Sequence, residues 1–236
     1  MENNGKEVLL FSGGMDSLIS YFYVGKPQLI YFCLNHRYEY REFDVIQRLE
    51  RMLNTKVKFS RMFNLRKYEH PDAHIPLRNY YVAQGVLSEF PDVTKIYLAC
   101  QKGEQSIPDR SPEFFKDITH ILSKEAERPV EVINTFPDMT KVQMVKWYME
   151  NVGDVEILKA SVGCYSAEDI HCGSCGACLR RSVAFAANNI PLDEMKNNIK
   201  KWTGITEYID KMKAGKYDAE RTEETLKVFK DWGYSI

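Results

Sequence analysis

The sequence predicts an α/β fold in which a parallel five-stranded sheet carries helices on both faces. Short apolar segments alternate along the chain with longer segments of helical periodicity, which is the pattern of βαβ units. The first apolar segment ends in Ser12-Gly13-Gly14, and a helical pattern begins directly after it. Four of the six cysteines lie in the 15 residues from Cys164 to Cys178, which adds a metal-binding segment to this fold.

Five apolar segments are predicted to be the strands of the sheet. Their continuous runs of Val, Ile, Leu, Tyr and Phe are typical of parallel strands that are buried on both faces. The segments are residues 7–11, 28–34, 57–62, 94–100 and 130–134. Residues 155–158 are a candidate for a further short strand.

Helices are predicted between these strands and along the C-terminal end. Gly25 and Pro27 end the first helix, and Thr140 is a suitable N-cap for the fifth. The helices of the sheet are predicted at residues 16–24, 39–54, 77–90, 112–127 and 140–152, and those of the C-terminal end at 179–189, 192–202, 206–214 and 219–232.

The loops that follow the strands are expected to share one functional face. In open parallel sheets, ligands bind beyond the carboxyl ends of the strands. The loops at that edge begin at Ser12, Asn35, Phe63, Gln101 and Thr135.

Length and composition limit the class of protein. A chain of 236 residues with 44% hydrophobic residues can form one large domain with a smaller appendage, and we expect a division into residues 1–160 and 161–236. The net charge of −1 argues against strong nonspecific binding to nucleic acid. No secretory signal and no apolar run near 18 residues is visible, so we expect a cytoplasmic protein that does not bind a membrane.

Residues 12–17, Ser-Gly-Gly-Met-Asp-Ser, are predicted to bind phosphate or pyrophosphate. Two adjacent glycines let backbone N–H groups converge, and the helix behind them adds its positive end. Ser12 and Ser17 can donate hydroxyl hydrogens, and Asp16 can bind Mg²⁺ or cap the helix. The segment has neither the Gly-Lys-Ser/Thr of a Walker A loop nor a Gly-x-Gly-x-x-Gly fingerprint. An ordinary Gly-Gly turn is the alternative.

The clustered cysteines are predicted to hold a structural metal ion rather than disulfides. Four thiolates fill a tetrahedral zinc site and leave no position for a catalytic water; the four are Cys164, Cys172, Cys175 and Cys178. An iron–sulfur cluster can also use four cysteines, and the spacing alone does not decide between them. His171 is either a rival ligand or, as we favour, a solvated loop residue. Cys33 and Cys100 lie in apolar strands and are expected in the core.

The loop of residues 12–17 and the later Cys-Gly-Ser-Cys-Gly-Ala-Cys of residues 172–178 form a specific pair. The loop resembles that of the ATP pyrophosphatase (PP-loop) superfamily, and the pair resembles the 7-cyano-7-deazaguanine synthase family, QueC. Segments between them resemble the family in the same order: His36-Arg37-x4-Glu42, residues 75–79, residues 107–115, Lys141, residues 163–165 and Cys178-x2-Arg181. The resemblance runs from about residue 7 to residue 186, and the helical end carries no matching motif.

The resemblance implies an ATP-dependent carbon–nitrogen ligase with a Rossmann-like fold of the adenine nucleotide alpha hydrolase type. Members of the family use ATP to activate the carboxylate of 7-carboxy-7-deazaguanine as an acyl-adenylate, and ammonia converts it to the amide. A second ATP activates the amide oxygen, and loss of AMP leaves the nitrile. A structural zinc ion, Mg²⁺ with ATP, and a homodimer are implied as well. Residues 1–160 would then be the PP-loop ATP-binding domain.

The resemblance also assigns roles to individual residues. ATP would be bound by the loop residues Ser12, Gly13, Gly14, Met15, Asp16 and Ser17. Lys141 would be a mobile cation over the phosphates, with Asp16 and Ser17 as its partners in catalysis. The candidate substrate-binding residues are Arg37, Arg78, Asn79, Asp109, Glu113, Phe114 and Arg181.

These side chains suit the parts of such a substrate. The arginines can pair with phosphate or carboxylate. Asn79, Asp109 and Glu113 can bind the edge of a guanine-like base, and the ring of Phe114 or Tyr165 can stack on that base. Other interpretations stay open: Lys141 can be a surface residue, Pro112-Glu113 can simply start a helix, and Arg181 can balance thiolate charge.

The chain departs from the family pattern near the expected base pocket. Residues 107–114 read Ile-Pro-Asp-Arg-Ser-Pro-Glu-Phe where the family usually has Tyr-Pro-Asp-Cys-Arg-Pro-Glu-Phe. The family commonly has an asparagine and an aspartate near residues 101–105, and Thr-Trp-Ser at residues 161–163, where this chain differs. The phosphate loop is unchanged, so adenylation is the better supported half of the reaction.

Three other functions remain open at this point. The adenylated carboxylate can be passed to an amine on a protein or nucleic acid, as in phage or antiphage modification systems, which would add a macromolecular partner. A PP-loop transferase that modifies tRNA would need a basic surface, which the net charge does not favour. The third alternative is a zinc-containing interaction module that is not an enzyme. Such a module would need no phosphate loop, so the segment of residues 12–17 argues against it.

Overall fold

A central parallel sheet organises the computed structural model, which describes residues 6–71, 73–164, 166, 168 and 170–236. The strands follow the order β3-β2-β1-β4-β5, and each pairs in parallel with its neighbour. Their bounds are Lys6–Leu10 (β1), Gln28–Phe32 (β2), Val57–Ser60 (β3), Val93–Leu98 (β4) and Glu131–Asn134 (β5). The predicted five-stranded, Rossmann-like parallel sheet is confirmed.

The strand order reverses between β1 and β4. The chain runs outward from β1 to β2 and β3, and then returns to place β4 on the other side of β1. At such a switch point the loops after the two central strands turn away from each other and leave a crevice. The loop of residues 12–17 follows β1 and therefore lies at this crevice.

Nine helices are found in the described part of the chain. They are Met15–Tyr23 (α1), Glu39–Leu53 (α2), Arg78–Glu89 (α3), Pro112–Glu125 (α4), Lys141–Asn151 (α5), Val155–Ala160 (α6), Gly176–Ala187 (α7), Gly204–Lys213 (α8) and Ala219–Asp231 (α9). No described helix is both long enough and apolar enough to cross a bilayer.

The two faces of the sheet bury separate sets of side chains, because neighbouring residues of a strand point to opposite faces. Leu9 contributes to a cluster with α1, α2, α5, α6 and α7, and Val8 to a cluster with α3 and α4. Both side chains are fully buried, which stabilises the fold by about 1.5–3 kcal/mol each. Helices therefore cover both faces, as the sequence predicted.

A third cluster joins the C-terminal helices to the cysteine segment. Ile205 and Ile209 of α8 and Phe229 of α9 pack with Leu179 of α7 and with two of the cysteines. α7 also sends Phe185 into the cluster that covers the sheet. The division of the chain at residue 160 stays a prediction.

Two predicted elements are wrong. Residues 155–158 form helix α6 instead of a strand, because the Asp154 side chain accepts from the N–H of Ile157 at 3.1 Å and caps a helical turn. Residues 192–202 do not form the predicted helix: Met195 pairs with His171 in an isolated bridge, and only Ile199–Lys201 makes a single 3-10 turn. There, backbone bonds to the cysteine segment override the helical pattern.

We predict that Gly85→Ala lowers the stability of the fold. Gly85 lies in α3 against two rings, and an added Cβ would lie 2.6 Å from Phe32 Cε1 and 2.9 Å from Phe63 Cε2. This overpacking outweighs the gain of about 1 kcal/mol in helix propensity, so the free energy of unfolding should fall by about 1–2 kcal/mol. Urea denaturation measures the change.

The matched control is Gln84→Ala, at an exposed position of the same helix. It should change the free energy of unfolding by no more than about 0.5 kcal/mol. A Gly85→Ala chain as stable as the wild type would contradict this account of the packing.

Candidate functional site

A cavity of about 820 Å³ opens beyond the carboxyl ends of β1, β2 and β4. Its size suits a nucleotide-sized ligand. Residues from the loops after these strands line it, among them Ser12, His36 and Gln101, and His74 joins them from the segment after β3. The expectation that the loops after the strands share one face is confirmed for the loops that follow β1, β2, β3 and β4.

The loop of residues 12–17 forms a tight turn at the base of this cavity. Gly13 has a φ of +69°, which strains other residues, and a Cβ there would crowd Ile46 Cγ1 at 3.0 Å, so the turn favours glycine. Ser17 Oγ donates to the Gly14 carbonyl at 2.9 Å and lies 3.3 Å from Ser12 Oγ. Two hydroxyls therefore lie side by side at the start of α1.

The start of α5 meets the start of α1 at this turn. Thr140 and Gln143 form a capping box, which fixes Lys141 as the first residue of α5. Lys141 Nζ donates to both carboxylate oxygens of Asp16, at 2.6 and 2.8 Å. Both side chains are partly buried and line the cavity. Lys141 is thus not a surface lysine, and in this structure it is bound to the carboxylate of the loop.

Arg78 and Asn79 open α3 at the cavity wall, as the sequence predicted. Asp109 lies behind them and is buried. Its carboxylate accepts from the N–H of Asn79 at 3.1 Å, and its carbonyl accepts from the Asn79 side chain at 2.8 Å. Asp109 therefore caps α3 and orients Asn79, while Asn79 and Arg78 are the ones that line the cavity.

Arg181 lines the cavity but is only 1% exposed. Its Nε donates to Asp193 Oδ2 at 2.5 Å, and its Nη1 donates to Ser161 Oγ at 2.7 Å. Its Nη2 reaches the carbonyls of Leu158 and Lys159. The guanidinium is therefore occupied by protein partners, and its charge is paired with Asp193 instead of with the thiolates or a substrate.

Three other predicted substrate residues are not among those that line the cavity. Arg37 pairs with Glu69 at 3.2 Å, Glu113 is exposed at the start of α4, and Phe114 is 1% exposed in the core beside Tyr80. Stacking of Phe114 on a base is incompatible with that position. Tyr165, the alternative ring, lies outside the described residues.

Sequence reasoning missed a buried polar group in the cavity. Glu42 Oε2 accepts from the Tyr31 hydroxyl at 2.8 Å and lies 3.1 Å from His36 Nε2. Burial, with the charge of Glu42, raises the pKa of Tyr31. The sequence signal that could have identified this group is the motif His36-Arg37-x4-Glu42, which contains two of its residues.

Sequence reasoning also missed a charged wall formed by the loop after β4. Arg110 pairs with Glu104 at 2.8 Å, and both line the cavity. Burial opposes ionisation of Glu104, but the charges of Arg110 and Lys141 outweigh it and lower its pKa. Burial raises the pKa of nearby Cys100 to about 12, so this thiol stays protonated. Cys100 and Cys33 are both buried, as predicted.

The four clustered cysteines form a candidate metal centre beside the cavity. Their ligand atoms all lie within 4.8 Å of one another, and Cys172 Sγ is 3.9 Å from Cys178 Sγ. A tetrahedral zinc ion with Zn–S bonds of about 2.3 Å places its sulfurs about 3.8 Å apart. The donor set and the spacing therefore fit a single structural ion such as zinc. The residues that would hold it are Cys164, Cys172, Cys175 and Cys178.

Backbone N–H groups support this sulfur cluster. The N–H groups of Ser166 and Cys172 donate to Cys164 Sγ at 3.3 and 3.4 Å, and that of Cys178 donates to Cys175 Sγ at 3.4 Å. Cys175 thereby also caps α7. Such bonds stabilise thiolates, which is the form that binds metal.

His171 is neither a ligand nor solvated. It is buried with its Nδ1 3.7 Å from Asp193 Oδ2, and it does not belong to the group of metal ligands found among the described residues. Burial, and then the charge of Arg181, lowers the pKa of His171 to about 4. The expectation of a solvated loop histidine is wrong.

A family model described as queuosine biosynthesis protein QueC matches residues 50–189, more than half of the chain. The chain belongs to the QueC family. The match includes the cysteine segment and the first residues of α3, and it confirms the resemblance that the sequence showed.

Curated relatives of the family are named 7-cyano-7-deazaguanine synthase. The one from Archaeoglobus fulgidus is 29% identical over 228 residues, which cover 83% of this chain and 94% of that protein. The one from Methanothrix thermoacetophila is 23% identical over 79% of this chain and 96% of that protein. The one from Methanocaldococcus jannaschii is 34% identical, but the match spans 47% of this chain and 51% of that protein.

We predict that Cys175→Ser removes the metal ion and destabilises the chain. The wild type should contain about one zinc ion per chain, and the variant should lose it because a fourth thiolate is missing. Since a structural ion contributes folding free energy, the melting temperature should fall by about 10 °C or more. Elemental analysis and thermal unfolding give the two readouts.

Cys33→Ser is the matched control, because Cys33 is a buried cysteine outside the cluster. It should keep the full metal content whatever its effect on stability. If Cys175→Ser retains both its metal and its melting temperature, the four cysteines are not the ligands of a structural ion.

Proposed function

We propose that this chain is an ATP-dependent ligase that converts 7-carboxy-7-deazaguanine to 7-cyano-7-deazaguanine. The observation that carries the proposal is the placement of the loop of residues 12–17, with Asp16 bound to Lys141, at one end of the 820 Å³ cavity. Relatives matched over most of their length bear the name of that synthase. Such an enzyme would bring three small molecules together: ATP, the deazaguanine acid and ammonia.

In the first step, a carboxylate oxygen of the substrate attacks the α-phosphorus of ATP. The bond to the β-phosphate oxygen breaks, and pyrophosphate leaves as the acyl-adenylate forms. Ser12 and the N–H groups at the start of α1 are suited to donate to the pyrophosphate, where negative charge grows. Ser17 would do so by exchanging its bond to the Gly14 carbonyl for one to the phosphate. Asp16 is the carboxylate suited to hold the Mg²⁺ that accompanies ATP, and Lys141 the cation suited to follow the phosphates.

In the second step, ammonia attacks the acyl carbon and AMP leaves. The attacking nitrogen must lose a proton, and Glu42 is a carboxylate of the cavity that is suited to accept it. The amide oxygen then attacks the α-phosphorus of a second ATP, the bond to the β-phosphate oxygen breaks, and a second pyrophosphate leaves. Loss of AMP and of both amide protons leaves the nitrile.

The purine is proposed to lie against the start of α3. Arg78 and Asn79 are the predicted substrate residues that line the cavity there, and Asp109 orients Asn79 from behind. An arginine fork suits the carboxylate of the substrate, and a side-chain amide suits a purine edge. The homodimer that the resemblance implies stays a prediction.

A second candidate function is transfer of the adenylated carboxylate to an amine on a protein or nucleic acid. The observation that favours it is the Arg110–Glu104 pair, since both residues lie in segments that depart from the family pattern and both line the cavity. That part of the wall therefore differs from the family's usual pattern in the residues that carry its charges. The product would be a stable amide conjugate instead of a nitrile.

The test is pyrophosphate release from ATP and Mg²⁺ with 7-carboxy-7-deazaguanine, run with and without ammonia, with products identified by mass. Nitrile formed in the presence of ammonia is the expected result. Accumulation of the adenylate or the amide alone would favour the second candidate and exclude the full synthase reaction. No pyrophosphate under any condition would refute the proposed substrate.

We predict that Asp16→Ala lowers the rate of pyrophosphate release by about 100-fold or more, because the metal and Lys141 both lose their carboxylate partner. The matched control is Asp44→Ala, which removes an exposed carboxylate of α2 and should leave the rate unchanged. Circular dichroism checks that both variants fold. Normal turnover by Asp16→Ala would remove Asp16 from the metal-binding role.

A further inference from the structure

The last two helices contribute a wall of the cavity although they lie outside the segment that the family model matches. The match ends at residue 189, and α8 begins at Gly204. Tyr208, Lys216, Tyr217 and Arg221 nevertheless line the same cavity as the loop of residues 12–17. This wall therefore lies beyond the residues that the family model matches.

Two guanidinium groups are held on a pair of stacked rings in this wall. The rings of Tyr208 and Tyr217 are nearly parallel, at 7°, with centroids 5.8 Å apart. The guanidinium of Arg221 lies 4.5 Å from the centre of the Tyr217 ring, and Arg180 of α7 donates to the Tyr208 hydroxyl at 3.4 Å. Arg221 is stacked on a ring and Arg180 is bonded to a hydroxyl, so both groups are oriented before any ligand arrives.

Arg221 carries its positive charge at a half-buried position of this wall. Among the residues that the structure describes, no carboxylate forms an ion pair with Arg221. Burial, and then the like charge of Arg180, lowers the pKa of Arg221. A cation that is half-buried beside another cation gains most from an anionic ligand that bonds to both.

The two arginines lie on the phosphate side of the cavity. Arg180 and Arg221 share a small recess with Lys141 and Thr140, at the start of α5. Lys141 in turn is bound to Asp16 of the phosphate loop. Three cations, together with the carboxylate of Glu224, thus lie beside the place where the loop of residues 12–17 would direct a phosphate chain.

One carboxylate fixes this wall to the helix that carries Lys141. Glu220 of α9 accepts from Lys102 Nζ at 2.6 Å and from Gln143 Nε2 at 2.5 Å. Gln143 belongs to the capping box at the start of α5. Asp218 caps α9 by accepting from the N–H groups of Glu220 and Arg221, each at 3.1 Å.

We propose that Arg180 and Arg221 bind the pyrophosphate portion of ATP as a second set of donors, in addition to the loop of residues 12–17. The inference rests on the proposed function, since it assumes that ATP occupies this cavity. Pyrophosphate carries several terminal oxygens, so it can bond to two guanidinium forks and a lysine at once, whereas a single carboxylate bonds well to one fork.

The test is equilibrium binding of inorganic pyrophosphate with Mg²⁺ to the full chain, measured by calorimetry for the wild type and for Arg221→Met. Methionine keeps an unbranched apolar stem against Tyr217 but removes the charge. Loss of a charge-assisted bond should weaken binding by about 10-fold to 100-fold. KM for ATP should rise by a similar factor, while metal content and melting temperature stay those of the wild type.

Lys227→Met is the matched control, because it removes one positive charge from an exposed position of the same helix α9. It should bind pyrophosphate as the wild type does. Arg221→Lys keeps the charge but lacks the planar fork, so it should bind more weakly than the wild type and more tightly than Arg221→Met. It serves the same test if Arg221→Met does not fold.

Three outcomes would overturn the inference. Unchanged pyrophosphate binding by the Arg221 variants would make this wall a packing element. A rise in KM for 7-carboxy-7-deazaguanine, with unchanged pyrophosphate binding, would assign the wall to the other substrate. If neither the wild type nor Lys227→Met binds pyrophosphate, the proposed ATP site itself fails. The assay of pyrophosphate release by the wild type and Asp16→Ala tests that site separately.

Discussion

The buried side chain of Arg181 joins the sheet to the cysteine segment. A charge that is 1% exposed is tolerated only when its donors are satisfied, and Asp193, Ser161 and two carbonyls at the end of α6 satisfy this one. The chain after α6 is thereby fixed, and Val162 donates its N–H to the Gly13 carbonyl at 2.9 Å. The loop of residues 12–17 and the sulfur cluster are therefore held in register by one guanidinium and the short segment that it supports.

Local patterns were enough to predict the sheet, the tight turn after β1 and the clustering of the four cysteines. Each depends on residues that are close in sequence: an apolar run, a Gly-Gly turn with its flanking serines, or cysteines at short spacing. The helix predicted at residues 192–202 failed because its contacts are distant. Asp193 is held by Arg181, and Lys196 donates its N–H to the His171 carbonyl at 2.9 Å, so the backbone there is bonded outside a helix.

Residue type alone could not separate the side chains that face the cavity from those that support it. Asp109 and Arg181 have the chemistry of ligand-binding residues, yet their hydrogen bonds go to Asn79 and to the end of α6. Glu104 and Arg110 stand at positions that depart from the family pattern, and they do line the cavity. The burial of a side chain and the partners of its hydrogen bonds distinguish residues that face the cavity from residues that support it. Burial and bonding both follow from contacts between distant parts of the chain.

The wall built by α8 and α9 couples the cavity to the metal centre. Both helices lie beyond residues 50–189, the segment that the family model matches, yet they pack against the cysteine segment and reach the start of α5 through Glu220. An ion bound by the four cysteines would therefore steady one wall of the cavity as well as the cysteine segment. The shape of a nucleotide-sized cavity would in that way depend on the supply of metal.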